Sequence, residues 1–291
     1  MQPVNWCRAP SNDVCIYCNR RFDDSDVVVT KEHLVGRNFV PRGSLDGGRS
    51  FNFIFNACQQ CNNDKSALEG HISAITQFMS PAVAENAAFG ERAIAKSLRE
   101  IHPWTGRPIA NSFHESAVQM RGAGLGIKVG FVGPPQADRE MVSRLALRHV
   151  QGLYALVTNP DRTLAPLTLL FPGWVYILGH YIRSDWGNGH AITASDFVRD
   201  WTVRARIITA GGYFQAMLRR DTAELGTWFW ALEWNRYMRV IGGITYDGQL
   251  PSFMRDLPEL HWVEARTSTG AVFRSRREQP LDEEPDDLFD E

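Results

Sequence analysis

Two C-x-x-C steps, Cys15-Ile16-Tyr17-Cys18 and Cys58-Gln59-Gln60-Cys61, frame the stretch of sequence that decides the fold. We expect the thiols to stay reduced, because the N-terminal residues lack a basic stretch followed by an apolar one and so show no secretory signal. Under reducing conditions, paired C-x-x-C steps indicate metal ligands before disulfides. Four thiolates complete a closed tetrahedral zinc site with bonds of about 2.3 Å, which leaves no position for water. The pattern therefore predicts a structural Zn²⁺ held by Cys15, Cys18, Cys58 and Cys61.

The 39 residues between the two steps indicate two strands and a loop. Residues 26–30 (DVVVT) are rich in β-branched side chains, residues 51–55 (FNFIF) are aromatic and apolar, and the intervening segment 36–50 is rich in turn residues. After the second step, residues 62–78 have the pattern of a helix that ends before Pro81. An inert zinc ribbon is the alternative interpretation, but its pairs usually stand about 15–20 residues apart. The expected order is strand, strand, helix.

Polar residues around the steps make this segment more specific. Glu32 and His33 directly follow the first predicted strand, Asn62 follows Cys61, and Lys65 comes three residues later. In this order the residues resemble the zinc-bearing form of the HNH (ββα-metal) nuclease family over about residues 13–75, roughly a quarter of the chain. The resemblance implies a treble-clef-like ββα-metal fold, stapled by zinc, that hydrolyses phosphodiester bonds.

The resemblance assigns a role to each of these residues. His33 becomes the general base that takes a proton from water, which suits an imidazole with an ordinary pKa of about 6.5. Glu32 and Asn62 become ligands of a catalytic Mg²⁺ or Mn²⁺, hard ions that prefer oxygen donors. The family's final His is Asn62 here, and its usual Asp before the base is Glu32. For Lys65 two roles stay open. It could contact a phosphate, or it could cap the zinc knuckle, which is the tight turn that carries Cys58 and Cys61.

The middle asparagine of the motif, which steadies the loop after the base, has two candidates. Family members carry it five residues before the third cysteine, where this chain has Phe53, with Asn52 and Asn56 on either side. We favour Asn56 for the catalytic site, because Asn52 would need a one-residue bulge in the strand.

Beyond Pro81 the patterns predict a larger domain that mixes helices and strands. Helical spacing covers 84–101, 139–157 and 195–203, and strand-like runs cover 126–132, 167–182, 207–218 and 227–244. The prediction for the whole chain is an α+β protein with an HNH nuclease domain at 1–80, an α+β domain at 81–279 and a disordered acidic tail at 280–291.

The second predicted domain carries aromatic and basic side chains that nucleic acid could use. Four of its aromatic residues could stack on bases or could fill a core: Trp228, Trp230, Trp234 and Tyr237. A place in the core is the favoured interpretation. Its arginines line a groove for a phosphate backbone or form a solvated face: Arg204, Arg206, Arg219, Arg220, Arg236 and Arg239. Four further arginines precede the acidic tail, and this charge pattern is compatible with a tail that occupies a basic site, although plain solvation is favoured: Arg266, Arg274, Arg276 and Arg277.

Charge and composition limit the function classes. The formal net charge is −2, yet residues 71–277 hold 23 basic against 17 acidic residues, a surplus compatible with phosphate contacts. No run of 18 apolar residues lacks charge, so we expect a cytoplasmic protein without a membrane partner.

We therefore expect a metal-dependent DNA endonuclease, with a role in phage defence or restriction by analogy alone. DNA is the expected partner, RNA is not excluded, and a homodimer or a partner protein bound through the C-terminal domain stays open. The alternative is a catalytically inactive, zinc-stabilised adaptor that binds nucleic acid or protein.

Overall fold

The computed structural model describes most of the chain. The described residues are 12–46, 52–122, 125–158, 175–183, 189–223, 226–255, 257, 262–266, 272–276 and 287–290. Among them, no helix is both long enough and apolar enough to span a lipid bilayer.

The N-terminal part is a β-β-α unit in the predicted order. Strands β1 (Val29–His33) and β2 (Ile54–Cys58) pair antiparallel, with Glu32 opposite Phe55 and His33 opposite Ile54, and helix α1 (Gln59–Phe78) follows at once. Both strands begin three residues later than the β-branched and aromatic runs suggested. The chain still turns at residues 24–27, where the Val27 amide donates to the Asp24 carbonyl. The shift carries β2 up to Cys58, so the second knuckle lies at the junction of strand and helix.

The middle of the chain contains three helices and a hairpin. They are α2 (Ala82–Glu85), α3 (Ala87–Arg99), β3 (His114–Gly122), β4 (Leu125–Gly133) and α4 (Arg139–Thr158). The helix predicted at 84–101 is divided at Asn86, whose extended backbone ends α2 and whose side chain caps α3 by accepting the Phe89 amide at 3.0 Å. The hairpin contains the predicted strand at 126–132, and its partner β3 carried no clear sequence signal. Helix α4 agrees with its prediction within one residue.

The C-terminal part is built on a five-stranded antiparallel sheet in the order β5-β9-β8-β7-β6. Its elements are β5 (Val175–Ile182), α5 (Gly189–Phe197), β6 (Thr202–Thr209), β7 (Phe214–Arg220), β8 (Trp228–Trp234) and β9 (Met238–Ile244). The smaller elements α6 (Ser252–Arg255), β10 (Trp262–Arg266) and β11 (Val272–Arg276) follow, and the last two pair as a hairpin. The α+β class is therefore confirmed at the level of element content.

Two predicted long strands are each broken by a turn. The run at 207–218 is interrupted at Ala210, Gly211 and Gly212, which all have positive φ. The run at 227–244 reverses at Asn235 and Arg236, with φ of 53° and 55°, the double positive φ of a tight hairpin turn. The helix predicted at 195–203 is displaced towards the N-terminus, because α5 runs over Gly189–Phe197 and a turn then leads into β6 at Thr202. Of the strand predicted at 167–182, residues 167–174 lie outside the described residues.

The two predicted domains share one core. A single apolar cluster contains Phe39 and Phe55 from the N-terminal unit together with Val150 of α4 and Phe214 and Trp234 of the sheet. The chain is closely packed where α4 crosses the unit, since a Cβ at Gly152 would stand 2.5 Å from Leu34 Cδ1. The predicted boundary at residue 80 thus marks a change of secondary structure and does not divide the core.

The favoured interpretation of the aromatic strands agrees with their burial. The side chains that sequence offered as base-stacking candidates are all buried: Trp228, Trp230, Trp234 and Tyr237. They belong to the shared core and are not available to stack on a nucleic acid.

The acidic tail departs from its prediction. Residues 287–290 fold against the sheet, and both Leu288 and Phe289 are buried in a second apolar cluster. Residues 280–286 and residue 291 lie outside the described residues. Disorder was expected from charge alone, but a leucine and a phenylalanine at the end of the tail supply enough apolar surface to bury.

Candidate metal centre and the motif around His33

Four sulfur atoms from the two knuckles come together in space. The ligand atoms of Cys15, Cys18, Cys58 and Cys61 all lie within 4.8 Å of one another. The sulfurs of Cys18 and Cys58 are 3.6 Å apart, close to the roughly 3.8 Å between two thiolates bound to one tetrahedral Zn²⁺. Within the part of the chain that the structure describes, this is the one group of three or more such side chains that could hold a metal. The residues fit a structural zinc.

The local backbone explains how each knuckle presents two sulfurs. In the first, the chain turns back at Asn19, whose φ is 64°, and the Cys15 amide donates to the Arg20 carbonyl at 2.9 Å. In the second, Cys58 precedes α1 and Cys61 lies in its first turn. The positive end of a helix favours thiolates. A hydrogen bond with Cys61 lowers the pKa of the Cys15 thiol to about 5, against the opposing effect of burial, and the same contact raises the pKa of the Cys61 thiol.

Helix α1 brings the remaining motif residues against β1. The Asn62 side-chain amide donates to Thr30 Oγ1 at 2.9 Å and to the Lys31 carbonyl at 3.2 Å. One turn further on, Lys65 donates to the His33 carbonyl at 3.0 Å. Residues that are about 30 positions apart in sequence therefore meet at one end of the β-β-α unit.

Glu32 points into the protein and is held by a buried lysine. Its Oε1 lies 2.7 Å from Lys65 Nζ, and the Tyr17 hydroxyl donates to the same oxygen at 3.3 Å. The side chains of Glu32 and Lys65 are only 5% and 1% exposed. Burial raises the pKa of Glu32 above its ordinary value, although Lys65 opposes this rise.

The ion pair belongs to a larger buried cluster that ends in the C-terminal part. Lys65 also lies 2.7 Å from Glu69, and His149 of α4 places its Nε2 3.5 Å from the same carboxylate. Burial favours a lower pKa for Lys65, but Glu69 and Glu32 outweigh it and raise that pKa. Burial favours a higher pKa for Glu69, yet Lys65 and His149 lower it overall. Burial lowers the pKa of His149 to about 4, so this imidazole is neutral at pH 7.

These contacts do not fit the predicted Mg²⁺ or Mn²⁺ site. A hydrated divalent ion needs open oxygens, but the Glu32 carboxylate faces an ammonium in a space closed to solvent. The Asn62 amide nitrogen is bonded to β1, which orients that side chain along the strand. As folded, Glu32 pairs with Lys65. Neither of the two roles left open for Lys65 describes its contacts, because its buried ammonium bonds Glu32, Glu69 and the His33 carbonyl and no residue of a knuckle.

His33 lies on the other side of β1 from Glu32, because adjacent strand residues alternate. Its ring is half-buried, at the end of the strand. Burial lowers the pKa of His33, and the nearby positive charges of Arg37 and Lys65 lower it further. The imidazole is therefore neutral near pH 7 and able to accept a proton.

Of the two asparagine candidates, Asn52 and not Asn56 contacts the segment after His33. Asn52 holds the segment after His33, because its Oδ1 accepts the Val35 amide at 3.1 Å and its Nδ2 donates to the Val35 carbonyl at 2.7 Å. Asn56 instead lies opposite Lys31 and is bonded to Asn12, whose Oδ1 accepts its backbone amide at 2.8 Å. The contacts with the segment after His33 are thus made by Asn52 and not by the favoured Asn56. Asn52 precedes β2, so it reaches Val35 without a bulge in the strand.

The sequence patterns did not single out several residues of this region. Helix α4 docks on the knuckles through Arg148, whose guanidinium lies 4.9 Å from the centre of the Tyr17 ring, and through Arg144, which lies 2.5 Å from Asp64. A half-open cleft of about 440 Å³ lies between them, lined by Cys18, Arg20, Gln60, Cys61, Asp64, Arg144 and Arg148. The Lys65 and Glu69 pair had a signal, four-residue spacing on a helix, but nothing in the sequence linked His149 to them.

Comparison with known proteins adds no relative. No protein-family model, no curated protein and no solved structure matches this chain.

Proposed function

We propose that the chain hydrolyses phosphodiester bonds of nucleic acid, DNA in the first place, with His33 as the general base that the resemblance to the HNH family implies. The observation that supports this most is the convergence around β1. Asn52 clamps the segment after His33, while Asn62 and Lys65 hold β1 from α1, next to four clustered thiols. Precise placement of the base is what general-base catalysis requires.

The charges around His33 suit a phosphodiester. The positive charges that lower the pKa of the imidazole, after burial, are those of Arg37, Lys65 and Lys31. Arg37 and Lys31 are exposed, so they can meet a phosphate from solvent, whereas Lys65 is buried. A neutral base beside exposed cations favours attack on an anionic substrate, because the cations attract the phosphate and the base activates water.

Of the two metals that the resemblance implies, zinc fits its residues and the catalytic ion does not. Zn²⁺ fits the four cysteines and would act structurally, because a closed tetrahedral site leaves no position for water. Mg²⁺ or Mn²⁺ does not fit Glu32 in its pair with Lys65, and we assign no step to it.

A second candidate function is supported by the same pair. If the Glu32 carboxylate is committed to Lys65, the unit could serve only as a zinc-stabilised adaptor that presents Arg37 and Lys31 to a nucleic acid or an acidic protein. Binding without cleavage is the outcome that this candidate predicts.

A plasmid-nicking assay separates the two. Wild-type protein is expected to nick supercoiled DNA, and His33→Ala is expected to cut about 10²–10⁴-fold more slowly, because the base is lost. The matched control is His190→Ala, on helix α5 and outside the β-β-α unit, which should cut at the wild-type rate. Running each reaction with and without added Mg²⁺ or Mn²⁺ measures dependence on a second ion separately from dependence on His33.

The binding of each variant to labelled DNA is measured in parallel. Equal cleavage by wild type and His33→Ala would reject His33 as the base. Equal DNA binding by both, with no cleavage by either under any metal condition, would favour the adaptor.

A further inference from the structure

The last described residues of the chain pack on the sheet face that is turned away from the zinc unit. Along β8 the side chains alternate, so that Trp228 and Trp230 enter the shared core and Phe229 and Ala231 enter the second cluster. Leu288 and Phe289 belong to that second cluster and are 4% and 6% exposed. The tail therefore lies on the opposite side of the sheet from the residues of the proposed hydrolytic site.

Arginines hold the tail at its backbone as well as its side chains. Arg206 Nε donates to the Phe289 carbonyl at 2.6 Å, and Arg219 Nη2 donates to the Asp290 carbonyl at 2.7 Å. Arg239 places its guanidinium 5.9 Å from the centre of the Phe289 ring. Contacts with the main chain recognise an extended or turned peptide as such, and the ring contact selects an aromatic side chain.

Two aspartates flank the apolar pair and meet further donors. Asp287 lies 3.0 Å from Arg199 and accepts the Ser195 hydroxyl at 3.4 Å, and Asp290 lies 3.4 Å from Arg206. The Asp290 amide closes a turn on the Asp287 carbonyl at 2.9 Å, which presents Leu288 and Phe289 together. We call Ser195, Arg199, Arg206, Arg219 and Arg239, with the apolar cluster beneath them, the tail groove.

We propose that the tail groove is a recognition site for acidic peptides of a partner protein in which a leucine–phenylalanine pair stands between aspartates, and that the chain's own residues 287–290 are its intramolecular competitor. The chemistry of the contacts supports a peptide over a nucleic acid. A phosphate backbone could meet the arginines, but it has no counterpart to the two buried side chains, and two of the closest contacts are made to peptide carbonyls. The site is independent of His33, so it stands whether or not the chain hydrolyses DNA.

Because residues 287–290 occupy the tail groove, binding can be tested with a separate peptide of the same sequence. A chain truncated after residue 286 leaves the groove open, and a fluorescein-labelled peptide of residues 285–291 (PDDLFDE) is titrated against it by fluorescence anisotropy. We expect the truncated protein to bind this peptide about tenfold or more tightly than the full-length chain does, because the tethered tail competes at a high effective concentration. The control peptide PDDAADE keeps every charge and should bind about tenfold or more weakly, since it lacks both anchors.

Arg206→Ala in the truncated chain should weaken peptide binding. Arg204→Ala, two residues earlier on β6, should not. Arg206 is paired with Met217, whose side chain belongs to the second cluster, so it lies on the groove face. Arg204 is the extra residue of the bulge between Val203 and Ala205, so its replacement removes the same charge at a position out of register with the groove. Equal weakening by both variants would indicate non-specific attraction of an acidic peptide and would overturn the proposal.

A second design covers the case in which truncation prevents folding. A protease site placed within residues 279–283 is cut after the full-length protein has folded, so that the tail stays bound without a covalent link. Excess PDDLFDE is expected to displace it, and PDDAADE is not. A folded protein that binds neither peptide, or a tail that single-stranded DNA displaces and PDDLFDE does not, would overturn the proposal. A concentration-dependent dimer that truncation abolishes would assign the groove to the tail of a second copy and would also overturn it.

Discussion

Replacing Cys58 with serine is expected to abolish zinc binding and to unfold the β-β-α unit together with helix α4, which packs on it. Cys58 joins β2 to α1 and its sulfur lies 3.6 Å from that of Cys18, so its loss opens the tetrahedral site. Structural zinc supplies about 10–16 kcal/mol of apparent binding free energy in zinc-finger peptides, comparable to the whole stability of about 5–15 kcal/mol of a domain. Because Cys58 belongs to the shared core, the loss should extend to α4.

Zinc content by mass spectrometry and thermal unfolding by circular dichroism measure this effect. The matched control is Cys7→Ser, since Cys7 is the one cysteine outside the two C-x-x-C steps and should leave both measurements unchanged. A Cys58→Ser protein that lacks zinc and melts like the wild type would contradict a structural role for the metal.

Replacing Lys65 with methionine is expected to destabilise the protein by about 3–5 kcal/mol, the usual cost of breaking a buried ion pair by removing one partner. Methionine keeps an unbranched apolar side chain one atom shorter than that of lysine, but it leaves the carboxylates of Glu32 and Glu69 without the ammonium that lies 2.7 Å from each. Chemical denaturation at pH 7.5 measures the change in the free energy of unfolding.

The pH dependence of this loss identifies its cause. In the wild type, Lys65 and His149 hold the pKa of Glu69 below its ordinary value despite burial, so Glu69 contributes stability at neutral pH that is lost as the pH falls through that lowered pKa. In Lys65→Met, burial without the ammonium raises the folded-state pKa of both carboxyls above the unfolded value. Protonation then favours the folded state, and the difference from wild type should shrink as the pH falls from about 7.5 towards 5.

Lys96→Met is the matched control. Lys96 donates to the Asn38 carbonyl and to the Ser73 hydroxyl, both at 2.6 Å, so its removal leaves neutral acceptors rather than buried charges. We expect a cost of about 1 kcal/mol. A loss for Lys65→Met no larger than that of the control, or one that is constant with pH, would show that the cluster is not held by charge.

Local patterns account for what the sequence predicted well. The two C-x-x-C steps placed all four sulfurs in one cluster, because each knuckle is fixed by a few neighbouring residues. The position of Asn62 directly after Cys61 predicted that it would lie near Glu32 and His33, and its amide donates to the Lys31 carbonyl of β1, whereas the contact of Lys65 with the His33 carbonyl was not predicted. The chemistry of the centre, by contrast, was predicted by resemblance and remains a proposal.

Long-range contacts explain what the sequence did not predict. The commitment of Glu32 to Lys65 depends on the burial that α4 and the sheet impose, and His149 reaches this cluster from 80 positions beyond Glu69 in the chain. A boundary at residue 80 was natural from the change in pattern, but Asn235 of a distant hairpin donates to the Phe39 carbonyl and to Thr76, and so ties the sheet to the N-terminal unit. The exchange of Asn52 for Asn56 followed from a strand that starts at Ile54 and not at residue 51.

We propose that one metal ion, held by four thiolates, stabilises the unit that presents His33. X-ray absorption at the zinc edge of the purified wild-type protein, combined with metal content, tests this most directly. We expect one zinc per chain with four sulfur neighbours at about 2.3 Å. A chain that folds without metal, or a zinc whose shell contains nitrogen or oxygen in place of any of the sulfurs, would contradict it.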